Sequence, residues 1–145
     1  MDIAARLAGT RVYFDANILV YILEGYDLYR KQIDSLRDAI KDAAFQSFTG
    51  EIAIMEVLVA PFKNNHMDAV VAYRRFIEDS GVFGLIAATP DIYVKAAYFR
   101  AEFNLRPPDA IHVASAGAAS CRYFLTNDHG IRTPKDIAVL QLRDL

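Results

Sequence analysis

Apolar residues along the chain fall into two alternating rhythms. Short continuous runs have the length of buried strands, and longer stretches repeat their apolar residues at helical spacing. Arg11 to Phe14 reads as a strand, after which Asp15 caps a helix from Ala16 to Leu23 that stops near Gly25. Tyr29 to Ala44 carries Ile33, Leu36 and Ile40 on one face and charges on the other, as a surface helix does. Phe45 to Phe48 is a second strand. Glu51 to Ala60 is a nearly all-apolar helix that Pro61 should end, and Asp68 to Asp79 is an amphipathic helix with Val70, Tyr73 and Ile77 inward. Phe83 to Ala87 fits either a short strand or an extended loop. Pro90 to Phe103 is a helix opened by Pro and Asp, and Asp109 to Ser120 is a helix of small residues. Arg122 to Thr126 and Ile137 to Leu142 complete the strands.

This alternation predicts an α/β chain of three layers, α/β/α, with a central, mostly parallel sheet covered by helices on both faces. In such folds ligands bind beyond the carboxyl ends of the strands. No linker, repeat or low-complexity segment divides the sequence, so residues 1–145 are expected to form one domain. More than half of the 145 residues are apolar, enough for a substantial core. The lone Cys121 excludes an internal disulfide and fits a reducing cytoplasm. No apolar stretch reaches the roughly 18 residues of a membrane span, and the opening MDIAARLAGTR lacks the apolar core of a signal peptide. The net charge of −2 gives no bulk attraction to nucleic acid, so a nucleic-acid substrate would need a local basic rim.

Against this background four carboxylates stand where a charge is costly to keep. Asp15 follows Val12-Tyr13-Phe14 directly. Glu56 lies among Ile52, Ile54, Met55, Val57, Leu58 and Val59, with no Lys or Arg between Gly50 and Phe62 to pair with it. Asp109 follows Pro107-Pro108, and Asp128 ends the strand pattern in Thr126-Asn127-Asp128. Buried carboxylates are disfavoured unless a cation meets them, and a group of them would also repel one another. A divalent metal ion answers both problems.

Each acid also has a plainer explanation. Asp15 can be a helix cap, Asp109 a first-turn acid favoured by the helix dipole, Asp128 the cap of a short turn, and Glu56 an edge residue with its head in solvent. Helical spacing places Ile52 and Val59 on the face of Glu56, which favours an inward direction, whereas Glu51 reads as a first-turn acid. Asn17 can support Asp15 by a hydrogen bond or simply fill the first turn, and Thr126 is either strand-end filler or a hydroxyl partner of the acids. His112, one turn after Asp109, could join it on zinc. No Cys is nearby, and His66 and His129 are not spaced as ligands, so a partly buried hydrogen-bonding role suits His112 better. The run Ala114-Ser115-Ala116-Gly117-Ala118-Ala119 lets its helix lie close to the sheet. Four such acids occurring together at strand ends or inside apolar helices are harder to explain separately than as one site.

The phrases VYFDANILVY, EIAIMEVLVAP, LRPPDAIHVASA and FLTND resemble the four signature blocks of PIN-domain proteins, most closely those of VapC-type toxins from prokaryotic toxin–antitoxin pairs. The resemblance runs from Val12 to Asp128, in order and with family-like spacing. It departs at Gly50, where the family commonly has Ser or Thr before the second block; here Thr49 stands one step earlier. The resemblance implies an endoribonuclease in which Asp15, Glu56, Asp109 and Asp128 hold Mg²⁺ or Mn²⁺, with Asn17 and Thr126 in support. Asp15 and Asp109 are its firmest ligands, while Glu56 and Asp128 act through water or on a second ion. It further implies a small cognate antitoxin as partner.

Other classes compete less well. A receiver-like phosphoacceptor needs a Lys after a strand, and a haloacid-type phosphatase needs a second Asp where Asn17 stands. A catalytically silent module that kept the fold and binds RNA or protein is the remaining alternative. Arg74, Arg75, Arg100, Arg106 and Arg132 are candidates for phosphate contacts. The apolar excess, including Tyr21, Ile22, Val59 and Phe62 near helix ends, predicts a homodimer.

Overall fold

The computed structural model describes residues 2–145. Five strands form one sheet: β1 (Arg11–Phe14), β2 (Gln46–Gly50), β3 (Phe83–Ile86), β4 (Tyr123–Thr126) and β5 (Ala138–Gln141). Their order is β3-β2-β1-β4-β5, and all four pairings are parallel, so the sheet is wholly rather than mostly parallel. The ambiguous segment after Val82 is a strand, paired with β2 from Ser47↔Phe83 to Gly50↔Ile86.

Alternation along β1 divides the core. Val12 and Phe14 face one layer, built from α1 (Ile3–Leu7), α2 (Ala16–Glu24), α3 (Arg30–Lys41), α4 (Ile52–Lys63) and α5 (Met67–Arg74). Tyr13 faces the other, built from α6 (Pro90–Phe103) and α7 (Pro107–Ala118). A parallel sheet needs both faces covered, and the short apolar strands meet that need. The small side chains predicted to bring the last helix close do so, with Ala110, Ala114 and Ala116 of α7 buried.

Several boundaries differ from the sequence reading. The helix expected from Tyr29 begins at Arg30 after a 3-10 turn over Asp27–Tyr29, and ends at Lys41, before the left-handed Ala43. Pro61 does not end α4, which runs on to Lys63. It sits in the last turn, where its missing N–H deprives only the Val57 carbonyl of a helical partner. The stretch from Arg75 to Asp79 widens into a π-helical turn rather than continuing α5. Helix α7 starts at Pro107, because proline already has the backbone angle of a first helical residue and its absent donor is not needed there. Helix α1, which the sequence reading did not anticipate, is capped by Asp2, whose Oδ1 accepts from the Ala5 N–H at 2.6 Å.

The connection from β3 to β4 crosses β2 and β1, so the chain reverses its direction of travel across the sheet between β1 and β4. That is the switch point at which an open parallel sheet leaves a crevice. Among the described residues no helix is long and apolar enough to cross a membrane.

Candidate active site

Asp15 occupies the residue after β1, and its backbone N–H donates to the Leu125 carbonyl of the adjoining β4. It is also the N-cap of α2, with Oδ1 accepting from the Ala16 N–H at 2.9 Å. The plain capping role and a functional role therefore coexist. Its Oδ2 accepts from the Thr126 hydroxyl at 2.6 Å, and the same hydroxyl accepts from the Asp128 N–H at 3.0 Å. Thr126 thus ties together the acids that follow the two strands. Asn17 supports Asp15 only at the limit of hydrogen bonding, 3.5 Å, and in its firmer contact its Oδ1 accepts from the Asn127 N–H at 3.2 Å. Asp128 accepts from the Gly130 N–H at 2.8 Å, which closes its own turn.

The other two acids come from helices in the two different layers: α4 carries Glu56 and α7 carries Asp109. Glu56 is neither fully inward nor free in solvent: its head reaches the crevice, while Val59, expected on its buried side, is exposed. Asp109 lies in the first turn of α7, nearly buried, where the dipole favours it.

Two basic groups interleave these acids, and the sequence reading missed the position of both. Arg106 donates from Nε to Asp109 Oδ2 at 3.0 Å and from a terminal nitrogen to Asp128 Oδ2 at 3.1 Å. His112 is completely buried rather than partly so. Its Nε2 lies 2.5 Å from Glu56 Oε1 and 3.6 Å from Asp15 Oδ1, and its Nδ1 lies 2.7 Å from the Tyr13 hydroxyl. The four carboxylates are thereby split into two pairs, one around each basic side chain. Nothing in the sequence placed Arg106 between two acids 19 residues apart, Asp109 and Asp128. The helical spacing of Asp109 and His112 was the one available hint for the imidazole.

The electrostatics follow from burial. Burial pushes the Asp15 carboxyl above its ordinary range, against the opposing pull of His112 and the Thr126 hydrogen bond. For His112, burial acts downward, but the hydrogen bond to Glu56 and the charges of Asp15 and Glu56 outweigh it, so the imidazole is held above its ordinary value. Tyr13 is pushed well above the phenol range by burial and by Asp15, and remains protonated.

Among the described residues, no three His, Cys, Asp or Glu side chains are gathered as a ready metal cage. The donor set itself suits a hard divalent ion: four carboxylates, a hydroxyl and a side-chain amide, with oxygen atoms throughout and no thiolate. Asp15 in particular is a buried carboxylate whose charge is under-stabilised. Arg106, whose side chain is 74% exposed, is the group with which an ion would compete.

The other candidate arginines divide. Arg74 is committed to Glu78 and Arg100 to the Leu105 carbonyl, while Arg75 and Arg132 are exposed. Arg143, not singled out from sequence, braces the Asn127 carbonyl at 3.2 Å beneath the site. Gly50, the departure from the signature, has a structural reason. A Cβ there would lie 2.7 Å from the Tyr13 hydroxyl and 3.2 Å from Ser115 Oγ, so Ser or Thr cannot fit beside Tyr13.

A parallel five-stranded sheet with strand-end acids at its switch point defines the class: an α/β/α protein with an acidic crevice. The PIN domain profile matches residues 12–136, and the chain belongs to the PIN-domain family. No curated protein matches it. Solved structures with a similar fold include a toxin–antitoxin complex from Klebsiella pneumoniae, 23% identical, covering 88% of this chain and 95% of that one with a TM-score of 0.66. FitAcB from Neisseria gonorrhoeae is 17% identical, with coverages of 92% and 99% and a TM-score of 0.67. VapBC2 from Rickettsia felis, bound to a DNA fragment from its promoter, is 13% identical, with coverages of 90% and 98% and a TM-score of 0.64.

Proposed function

We propose that this chain is a Mg²⁺- or Mn²⁺-dependent endoribonuclease, the toxin of a toxin–antitoxin pair acting in the cytoplasm. The observation that carries the reading is that Asp15 and Asp128, which follow β1 and β4, are linked through His112 and Arg106 to Glu56 of α4 and Asp109 of α7, in a family with toxin–antitoxin structures among its fold neighbours. Asp15 and Asp109 are the primary ligands in this reading, with Asp128 and Glu56 acting directly or through water. When bound, the ion supplies charge neutralisation at the scissile phosphate and lowers the pKa of an attacking water.

The protein's own groups do the rest. Thr126 and the Ala16 N–H fix both oxygens of Asp15, so that carboxylate needs little reorganisation. Glu56, on α4, has one oxygen held by His112, leaving the other to orient water. Arg106 is long and exposed enough to leave the acids and meet a phosphate.

The seat for the antitoxin in this reading lies on α4 and α5. Met55, Val59 and Phe62 of α4 and Met67 and Val71 of α5 are exposed apolar side chains, and Phe62, Met67 and Val71 border a groove of about 520 Å³ edged by Arg74 and Arg75. A homodimer is also part of this reading, though Ile22, one of the side chains first counted toward it, is buried in the core.

One observation favours the silent RNA- or protein-binding module: Arg106 and His112 already pair with the acids without a metal. Incubating the purified protein with RNA in Mg²⁺, in Mn²⁺ and in EDTA separates the two. Cleavage that requires the ion supports the nuclease, whereas equal binding without cleavage in all three supports the silent module. Sequencing RNA ends after expression in a host cell then identifies the target.

A further inference from the structure

Glu56 has no Lys or Arg partner, yet its carboxylate is held in one direction. The contact that holds it is the Nε2 of His112, and behind that imidazole lies a second buried group, the Tyr13 hydroxyl on Nδ1. The three side chains come from β1, α4 and α7, three elements that meet only in the folded chain. We propose that Tyr13 and His112 form a buried positioning pair that fixes the orientation of the Glu56 carboxylate. This rests on the nuclease reading and adds to it two residues that act through Glu56 rather than on substrate.

The chemistry leaves little freedom. An ionised carboxylate only accepts, so the proton on Nε2 points to Glu56 in either charge state of the ring. In the neutral ring Nδ1 must then accept, and the Tyr13 O–H is the donor that reaches it; in the charged ring Nδ1–H donates to the Tyr13 oxygen instead. The ring cannot turn over without breaking both contacts, since it is wholly buried and meets Tyr13 edge-on with centroids 5.6 Å apart. Tyr13 is itself clamped. Its ring stacks on Phe124 at 5.1 Å, and its hydroxyl lies where any side chain at position 50 would be, which is why that position is Gly. A histidine buried only for packing would leave its ring nitrogens unpartnered at some cost; here both are used, Nε2 on Glu56 at hydrogen-bond distance with Asp15 farther off at 3.6 Å, and Nδ1 on the Tyr13 hydroxyl.

Two measurements test the pair. In metal-free ¹⁵N-labelled protein, the His112 Nε2–H proton should appear as a slowly exchanging, downfield signal. It should move in Glu56→Gln, and the Nδ1 shift should change in Tyr13→Phe. In the cleavage assay, His112→Leu should lower kcat about 10- to 100-fold with KM changed by less than about threefold, the range seen when a group orienting a reactive ligand is removed. His112→Gln, whose amide can donate to Glu56, should recover most of that loss, and Tyr13→Phe should cost less than His112→Leu. A His112 signal indifferent to both substitutions overturns the pair whether or not the protein cleaves RNA. Wild-type kcat in His112→Leu overturns its role in positioning, and so does a loss that Gln does not recover. If the wild-type protein cleaves no RNA in either metal, the nuclease reading fails and takes that role with it, while the imidazole signal still reports whether the pair exists.

Discussion

The Thr126 hydroxyl reaches Asp15 Oδ2 at 2.6 Å, joining residues 111 positions apart at the ends of neighbouring strands. Because that hydroxyl also accepts from the Asp128 N–H, it is the hinge of the acid group. Thr126→Val removes a donor to a buried carboxylate and an acceptor for a backbone amide, at a cost of about 1–3 kcal/mol in urea unfolding. Thr126→Ser keeps both contacts and should lie within about 1 kcal/mol of wild type. Equal stability of the Val variant and wild type would show that the hydroxyl is incidental.

Asp15→Asn and Asp109→Asn should each abolish metal-dependent cleavage. Asp15→Asn should unfold at the same or a higher urea concentration than wild type, because its oxygen can keep the Ala16 N–H while its NH2 donates to the Thr126 hydroxyl oxygen, and a charge that burial disfavours is removed. Retention of wild-type RNase activity in either variant would mean the ligand assignment is wrong.

Metal-free stability should fall as pH rises above 6.5, the ordinary value of the His112 imidazole. His112 is held above its ordinary value of 6.5 in the folded protein, so its contribution is fully present below 6.5 and is lost as pH passes its folded pKa. Asp15, raised from 3.8, acts with the same sign from a lower starting point. Thermal unfolding from mildly acidic to mildly alkaline pH, with and without His112→Gln, should show the slope in wild type and a flatter profile in the variant.

Arg106 bridges Asp109 and Asp128 as an internal counter-ion. Arg106→Gln should therefore enlarge the Tm increase produced by saturating Mg²⁺ or Mn²⁺, since the ion no longer competes with a guanidinium. An increase no larger than that of wild type would show that the arginine does not stand in for the ion.

RNA association should weaken only shallowly with salt, by about three or four phosphates' worth, because the net charge is −2 and the exposed arginines near the crevice are few. Filter binding across a salt series reads this slope. A steep one would point to a basic surface elsewhere on the protein.

The sequence by itself determined the layers and the identity of the acids. Continuous apolar runs cannot be left in water, so Val12-Tyr13-Phe14 and Phe124-Leu125 had to become central strands, and the carboxylates that end them had to stand at one edge of the sheet. The prolines before Asp109 likewise announced a helix start, although they lie inside it rather than ahead of it. What only the tertiary structure decided is how those acids are neutralised. Local periodicity could put Glu56 on one helix and His112 on another, but not bring them to 2.5 Å. It could mark Arg106 as a charge, but not place it between Asp109 and Asp128. The reason is physical. Hydrophobic patterning is a property of neighbouring residues and survives in the sequence, whereas a hydrogen bond between distant side chains depends on the register of strands and the packing of helices. Gly50 shows both sides: its lack of a side chain is legible in the sequence, and the Tyr13 hydroxyl that requires it appears only in the fold.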